Sequence, residues 1–196
     1  MKKINIVFSL LAVAVLAVGA QAASFSISGA GNLPEGATSG TLDILWTPSN
    51  GITFANGGVA LEVVSSTPGV IKFTSATVLN PSGRWSAVLN PAPDADKVPG
   101  LDGFSVGSPG LPGTGDSVIY AQVGYEVLGP GTTQLSLNTH GEDALWDGAQ
   151  NDVTDMTQLL GASVTVSGGG PVVPEPATLA MVATGMIGLV LRRRNG

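Results

Sequence analysis

The sequence predicts an all-β protein whose folded body is an antiparallel β-sandwich, flanked by an N-terminal signal peptide and a single C-terminal transmembrane helix. Three observations carry that expectation. Apolar and polar residues alternate along the middle of the chain, clusters of Gly, Pro, Asn and Asp punctuate the alternation, and each end carries an uncharged apolar stretch beside basic residues.

The N-terminal stretch opens with Lys2 and Lys3, continues through an apolar run from about residue 6 to residue 18, and closes on Ala20-Gln21-Ala22. This is the layout of a secretory signal peptide with a small-residue cleavage site, so residues 1–22 are expected to be removed between Ala22 and Ala23. A body of about 150 residues then runs to Val173, long enough to bury a core without metal or disulfide support. The chain has no cysteine, which excludes thiol catalysis, Cys-ligated zinc and a lipidated Cys anchor.

Charge is distributed unevenly. Of the 14 acidic and 8 basic residues in the chain, 13 acids but only Lys72, Arg84 and Lys97 lie between residues 23 and 173, a net charge of about −10 for the body against −6 for the whole. Such a surface repels phosphate backbones, so nucleic acid is excluded as a partner, whereas cations and neutral polymers are not.

The alternation is clearest over 117–127, where Ile119, Ala121, Val123, Tyr125 and Val127 share one expected face. Further strands are expected at 24–29, 41–46, 59–64, 70–79, 84–89, 132–138 and 162–167, each bounded by turn residues. Residues 90–116 are rich in Pro and Gly and read as a long surface connection with a brief strand near 104–106, and 152–160 reads as a turn or short helix. The body thus spans 23–167, and residues 168–173 form a Gly/Pro linker to the tail at 174–196.

Residues 177–191 carry no charge, but fifteen residues of helix reach only about 22 Å, short of the roughly 30 Å hydrocarbon layer. Arg192, Arg193 and Arg194 would stay on the cytoplasmic side. The tail therefore reads as a marginal stop-transfer segment, transiently anchored in the inner membrane, that presents the linker just outside it. Ala180, Thr184 and Gly188 recur every four residues, a small-residue stripe suited to close helix packing.

The order Pro174-Glu175-Pro176, apolar segment, Arg192–Arg194 resembles the PEP-CTERM sorting signal of Gram-negative bacteria. The resemblance implies processing by an exosortase, a membrane-embedded protease, followed by release or transfer to the cell surface in bacteria that make extracellular polysaccharide. No LPxTG motif precedes the apolar segment, as a Gram-positive sortase would require. A second resemblance covers most of the body. Residues 43–49 (DILWTPS), 115–137 (GDSVIYAQVGYEVLGPGTTQLSL) and 161–166 (GASVTV) are similar to strands of cohesin domains, which implies a nine-stranded jelly-roll sandwich related in architecture to carbohydrate-binding modules. The Pro/Gly-rich insertion departs from that pattern, and fold alone names no ligand.

Candidate chemistry is sparse. His140, the sole histidine, has no nucleophile-elbow motif to serve, and no spacing singles out a carboxylate pair for glycoside hydrolysis. The expectation is therefore a non-enzymatic protein, with a secreted hydrolase as a lesser alternative. Asp143, Asp147, Asp152 and Asp155 gather hard oxygen ligands of the kind calcium takes, although their spacing is not that of an EF-hand. Trp46 is expected in the core, while Trp85 and Trp146 are the candidates for stacking on a sugar ring. The function expected is adhesion or association with extracellular polysaccharide or another surface protein, with a dedicated carbohydrate-binding module as the alternative. Mass spectrometry of protein recovered from the producing cell should find neither residues 1–22 nor the terminal Asn195-Gly196; a mature chain that still ends at Gly196 would refute the transient-anchor reading.

Overall fold

Strand-forming residues dominate the folded body, and in a computed structural model they build two sheets. The structure describes residues 22–49, 51–80, 83–141 and 145–168. The elements are β1 (Ala23–Ser28), β2 (Gly31–Leu33), β3 (Ser39–Thr47), β4 (Gly58–Ser65), β5 (Ile71–Val78), β6 (Ala87–Leu89), β7 (Lys97–Phe104), β8 (Val118–Val127), β9 (Gly131–Thr139), β10 (Leu145–Trp146), a 3-10 turn at Thr154–Met156, β11 (Thr157–Leu160) and β12 (Ala162–Val166). One sheet has the order β11-β1-β3-β8-β5 and the other β2-β12-β9-β4-β7-β6, with β10 attached to β4. Among the described residues no helix is long and apolar enough to cross a membrane, and the segments expected as signal peptide and membrane helix lie outside them.

Two parallel pairings close the sandwich. The chain passes from β1 in the first sheet to β2 in the second through Gly29 (φ 80°), and from β11 to β12 in the same sense through Gly161. β1 then pairs with β11 and β2 with β12, both in parallel, so the first and last strands zip together in each sheet. The crossing needs glycine. A Cβ on Gly29 would lie 2.7 Å from the Thr41 carbonyl oxygen, in a left-handed backbone conformation that side chains disfavour.

Aromatic rings hold the sheets together. Phe25 stands 4.8 Å from Trp46 and 5.5 Å from Tyr120 between ring centroids, Phe54 packs at 5.1 Å on Trp46, and Trp85 meets Tyr120 edge-on at 5.7 Å. Trp46 is in the core as expected, and its indole N–H donates to the Pro112 carbonyl at 2.8 Å.

Three expectations need correction. The alternation over 117–127 is interrupted by a β-bulge, because Ile44 pairs with Ala121 but Leu45 with Ile119. Tyr120 thereby turns inward beside Ala121, and Ile119, expected in the core, is partly exposed. Second, residues 90–116 are not a surface connection throughout. They contain β7, an interior strand paired with β4 and β6, with Val98 and Leu101 fully buried. Its loop-like composition has packing causes. Pro99 and Gly100 (φ 64°) fall where the β4–β7 register shifts between Leu61 and Val63, and a Cβ on Gly103 would lie 2.8 Å from the Trp85 ring. The stretch beyond β7 is also pinned, with Leu111 fully buried and its carbonyl accepting the Phe54 N–H at 3.1 Å. Third, residues 152–160 resolve into the 3-10 turn and β11, which edges the first sheet.

The bulged Tyr120 crosses the core. Its hydroxyl reaches the Leu101 carbonyl at 2.7 Å and the Val59 carbonyl at 3.1 Å, so its single proton bonds mainly to β7 and is shared with β4. Burial, reinforced by the charge of nearby Asp102, holds the phenol well above its ordinary pKa, and it stays a neutral donor. Tyr120→Phe should cost about 1–2 kcal/mol in urea unfolding, because two buried carbonyls lose a partner while the ring still fills its space.

Candidate functional site

Strand periodicity places Asp102 and Phe104 of β7 on one face, opposite Leu101 and Gly103, which face the core. On β4 the core takes Val59, Leu61 and Val63, which leaves Gly58, Ala60 and Glu62 on the outer face beside them. Three features follow one another along this face.

At one end Lys97 contacts Glu62 at 2.6 Å, and the other Glu62 oxygen accepts a long bond of 3.5 Å from Asn138. Next come Asp102 and His140, at 3.6 Å, a separation suited to an ion pair but too long for a hydrogen bond. The Asp102 side chain is only 10% exposed against 44% for His140, and its Oδ1 has no hydrogen-bond partner among the described residues. Burial raises the Asp102 carboxyl above its ordinary pKa, and the neighbouring imidazole pulls it part of the way back. Both residues line a pocket of about 300 Å³ walled by Leu89, Pro91 and Pro99.

At the far end Phe104 and Trp146 pack with ring centroids 6.5 Å apart, brought together by the short β10–β4 pairing. They line an open groove of about 500 Å³ with Asn56, Ser105, Val106 and Gln150. Val106 is 80% exposed. The rim is held by backbone strain and hydrogen bonds, since Asn56 and Gln150 both have positive φ (57° and 63°) and Asn56 Oδ1 accepts the Gly107 N–H.

The expected site residues fare differently. Trp146 does line a groove. Trp85 does not: it is 2% exposed, pressed between Gly103 and Tyr120, with Asn80 bonded to both its backbone N–H and its carbonyl. Its ring has no free face for a sugar, because the glycine opposite it lets the indole sink between the sheets. Sequence reasoning missed Phe104 and Asp102 as members of this face, since both lay in the stretch read as a connection.

Of the expected calcium ligands, Asp147, Asp152 and Asp155 are described, and they do not converge. Asp147 Oδ1 accepts the backbone N–H groups of Ala149 and Asn151 at 2.9 and 2.8 Å, and both its oxygens contact the Asn151 amide. Asp152 accepts the Thr154 N–H at 2.9 Å. These bonds hold both carboxyls below their ordinary pKa and use them to shape the loop. Asp155 is exposed, Asp143 lies outside the described residues, and among the described residues no three His, Asp or Glu side chains converge.

The tail, residues 172–194, matches the family model described as the PEP-CTERM protein-sorting motif. The chain carries a PEP-CTERM sorting motif at these residues. The motif identifies it as exported and sorted. Pro174, Glu175, Pro176 and the Arg192–Arg194 cluster fall within the match but outside the described residues. No curated protein matches this chain in sequence. Its body is similar in fold to solved cohesins. The second type II cohesin module of the adaptor ScaA scaffoldin of Acetivibrio cellulolyticus aligns with TM-score 0.55 and 11% identity, over 80% of this chain and 97% of that one. The seventh ScaB type I cohesin of Pseudobacteroides cellulosolvens aligns with TM-score 0.51 and 12% identity, over 76% and 95%. A cohesin of Clostridium thermocellum, solved in a type I cohesin–dockerin complex, aligns with TM-score 0.51 and 15% identity, over 75% and 100%.

Asp102 is a stability liability with a defined pH signature. Its native carboxyl binds protons more tightly than in the unfolded chain, so its destabilisation is present at neutral pH and fades as pH falls through the raised pKa. The half-exposed His140 offsets less than about 1 kcal/mol of this. Asp102→Asn should therefore raise the melting temperature at pH 7 by about 2–4 °C, for roughly 1 kcal/mol, with the gain vanishing in acid. A lower melting temperature would show that the carboxylate is structural.

Proposed function

We propose that this is an exosortase-processed surface or matrix protein whose sandwich associates with extracellular polysaccharide without catalysing a reaction. The groove at Phe104 and Trp146 carries the reading. Apolar ring faces stack on the CH faces of sugars, and neighbouring amides and hydroxyls exchange hydrogen bonds with their OH groups. The amides of Asn56 and Gln150 line the groove and supply such groups, while the buried Ser105 hydroxyl, bonded to the Asn56 N–H and the Ser108 carbonyl, holds the wall in shape. An open groove suits a polymer that passes through rather than a small molecule that must be enclosed.

The acidic body fits this role, because its net charge of about −10 disfavours polyanions and leaves neutral or basic polymers as ligands. Catalysis has little support: no hydroxyl hydrogen-bonds His140 among the described residues, and Asp102 is its only acidic contact. Export and the PEP-CTERM tail supply the setting, with release or re-anchoring at the cell surface of a Gram-negative bacterium after exosortase cleavage.

A second reading is a protein partner, as in the cohesin–dockerin complexes of structurally similar proteins. The exposure of Leu89 (55%) on the same face favours it. Co-sedimentation with the producer's own exopolysaccharide, with tryptophan fluorescence as the readout, tests the first reading. Binding should fall at least about tenfold in Trp146→Ala, a loss of about 1.4 kcal/mol within the range of one stacking aromatic. No co-sedimentation and an unchanged spectrum would overturn it.

A further inference from the structure

We propose that the polymer recognised on this face is an amino-sugar polysaccharide, with a sugar ammonium held by Asp102 while a neighbouring ring packs on Phe104 and Trp146. This rests on the polysaccharide reading above and names its class. Asp102 and Phe104 are two residues apart on one strand and project to the same side, so the carboxylate and the aromatic floor lie about 7 Å apart. One oligosaccharide would span both.

The carboxylate has the marks of a group kept for a ligand. Its side chain is nine-tenths buried, its Oδ1 lacks a hydrogen-bond partner among the described residues, and the His140 Nδ1 facing that oxygen stands at 3.6 Å, too far to donate. An incoming ammonium gives the carboxylate lining this pocket a charge-assisted partner, and Leu89, Pro91 and Pro99 meet the apolar faces of the sugar. Glycine keeps the approach open, because a Cβ on Gly100 would crowd His140 at 3.0 Å and lie 3.4 Å from Asp102 Oδ2.

A divalent cation fits less well. The next acid on this face, Glu62, is engaged by Lys97, and no group of three ligands forms among the described residues. An acidic sugar would meet like charge. The lone buried carboxylate thus matches a single positive charge on a largely apolar frame.

The test is a titration of the full-length protein in detergent, in about 0.1 M salt, with three probes: a glucosamine hexamer, the corresponding N-acetylglucosamine hexamer, and hexalysine. The glucosamine hexamer should bind at least about tenfold more tightly than its acetylated counterpart. Asp102→Asn should erase that preference and leave the weaker neutral binding. Asp116→Asn, which removes one exposed charge from a loop, should leave the preference intact. Thermal melts confirm that each variant is folded.

Equal affinity for the two sugars, or a preference that survives Asp102→Asn, overturns the amino-sugar assignment and leaves the polysaccharide reading standing. Hexalysine bound as tightly as the glucosamine hexamer, with the same dependence on Asp102, overturns it in favour of a lysine from a protein partner. Failure of both sugars to bind also overturns the amino-sugar assignment, and the polysaccharide reading then stands or falls on co-sedimentation with the producer's own exopolysaccharide.

Discussion

The hydroxyl of Tyr120 fixes the position of the strand on which the candidate site is built. It lies in the first sheet but bonds to carbonyls of β7 and β4 in the second, at 2.7 and 3.1 Å. With no disulfide in the chain, this bond and the aromatic rings around it do the work of registering one sheet against the other. A β-bulge makes it possible, because only the extra residue turns Tyr120 toward the core. The partner strand is β7, which carries Asp102 and Phe104 on its opposite face. A core interaction therefore positions the outer surface.

That surface combines two chemistries that proteins usually separate. Phe104 and Trp146 offer an apolar floor in an open groove, while Asp102 is a carboxylate sunk among Leu89, Pro91 and Pro99. Burying a charge without a hydrogen bond is costly, and a half-exposed histidine at 3.6 Å offsets only part of the cost. Sites that keep such a group trade stability for recognition. The acidic loop around Asp147 is the contrast: its carboxylates are exposed and satisfied by neighbouring N–H groups, and their chemistry is spent on the shape of the turn.

Glycine misled the sequence reading for a physical reason. Between residues 90 and 116 the many glycines and prolines have the composition of a loop, yet Gly103 is small because the Trp85 ring lies against it, and Gly100 and Pro99 mark a bulge in an interior strand. In turn Trp85, which looks available on its predicted strand, is buried because Gly103 admits it. Each residue explains the other only once the two strands are adjacent.

The sequence by itself determined the all-β class, most of the strands, the core place of Trp46, the charge of the body and the sorting motif at 172–194. These are legible because they depend on local order: alternation with a period of two, turn residues between runs, and contiguous tail features that a sorting enzyme reads as a linear string. Only the tertiary structure decided that Tyr120 faces inward, that Trp85 is closed off, and that Asp102, His140, Phe104 and Trp146 share one face. Those depend on bulges and on strand neighbours from distant parts of the chain. One added residue in a strand reverses every side chain beyond it, and nothing in the local alternation announces where that residue falls.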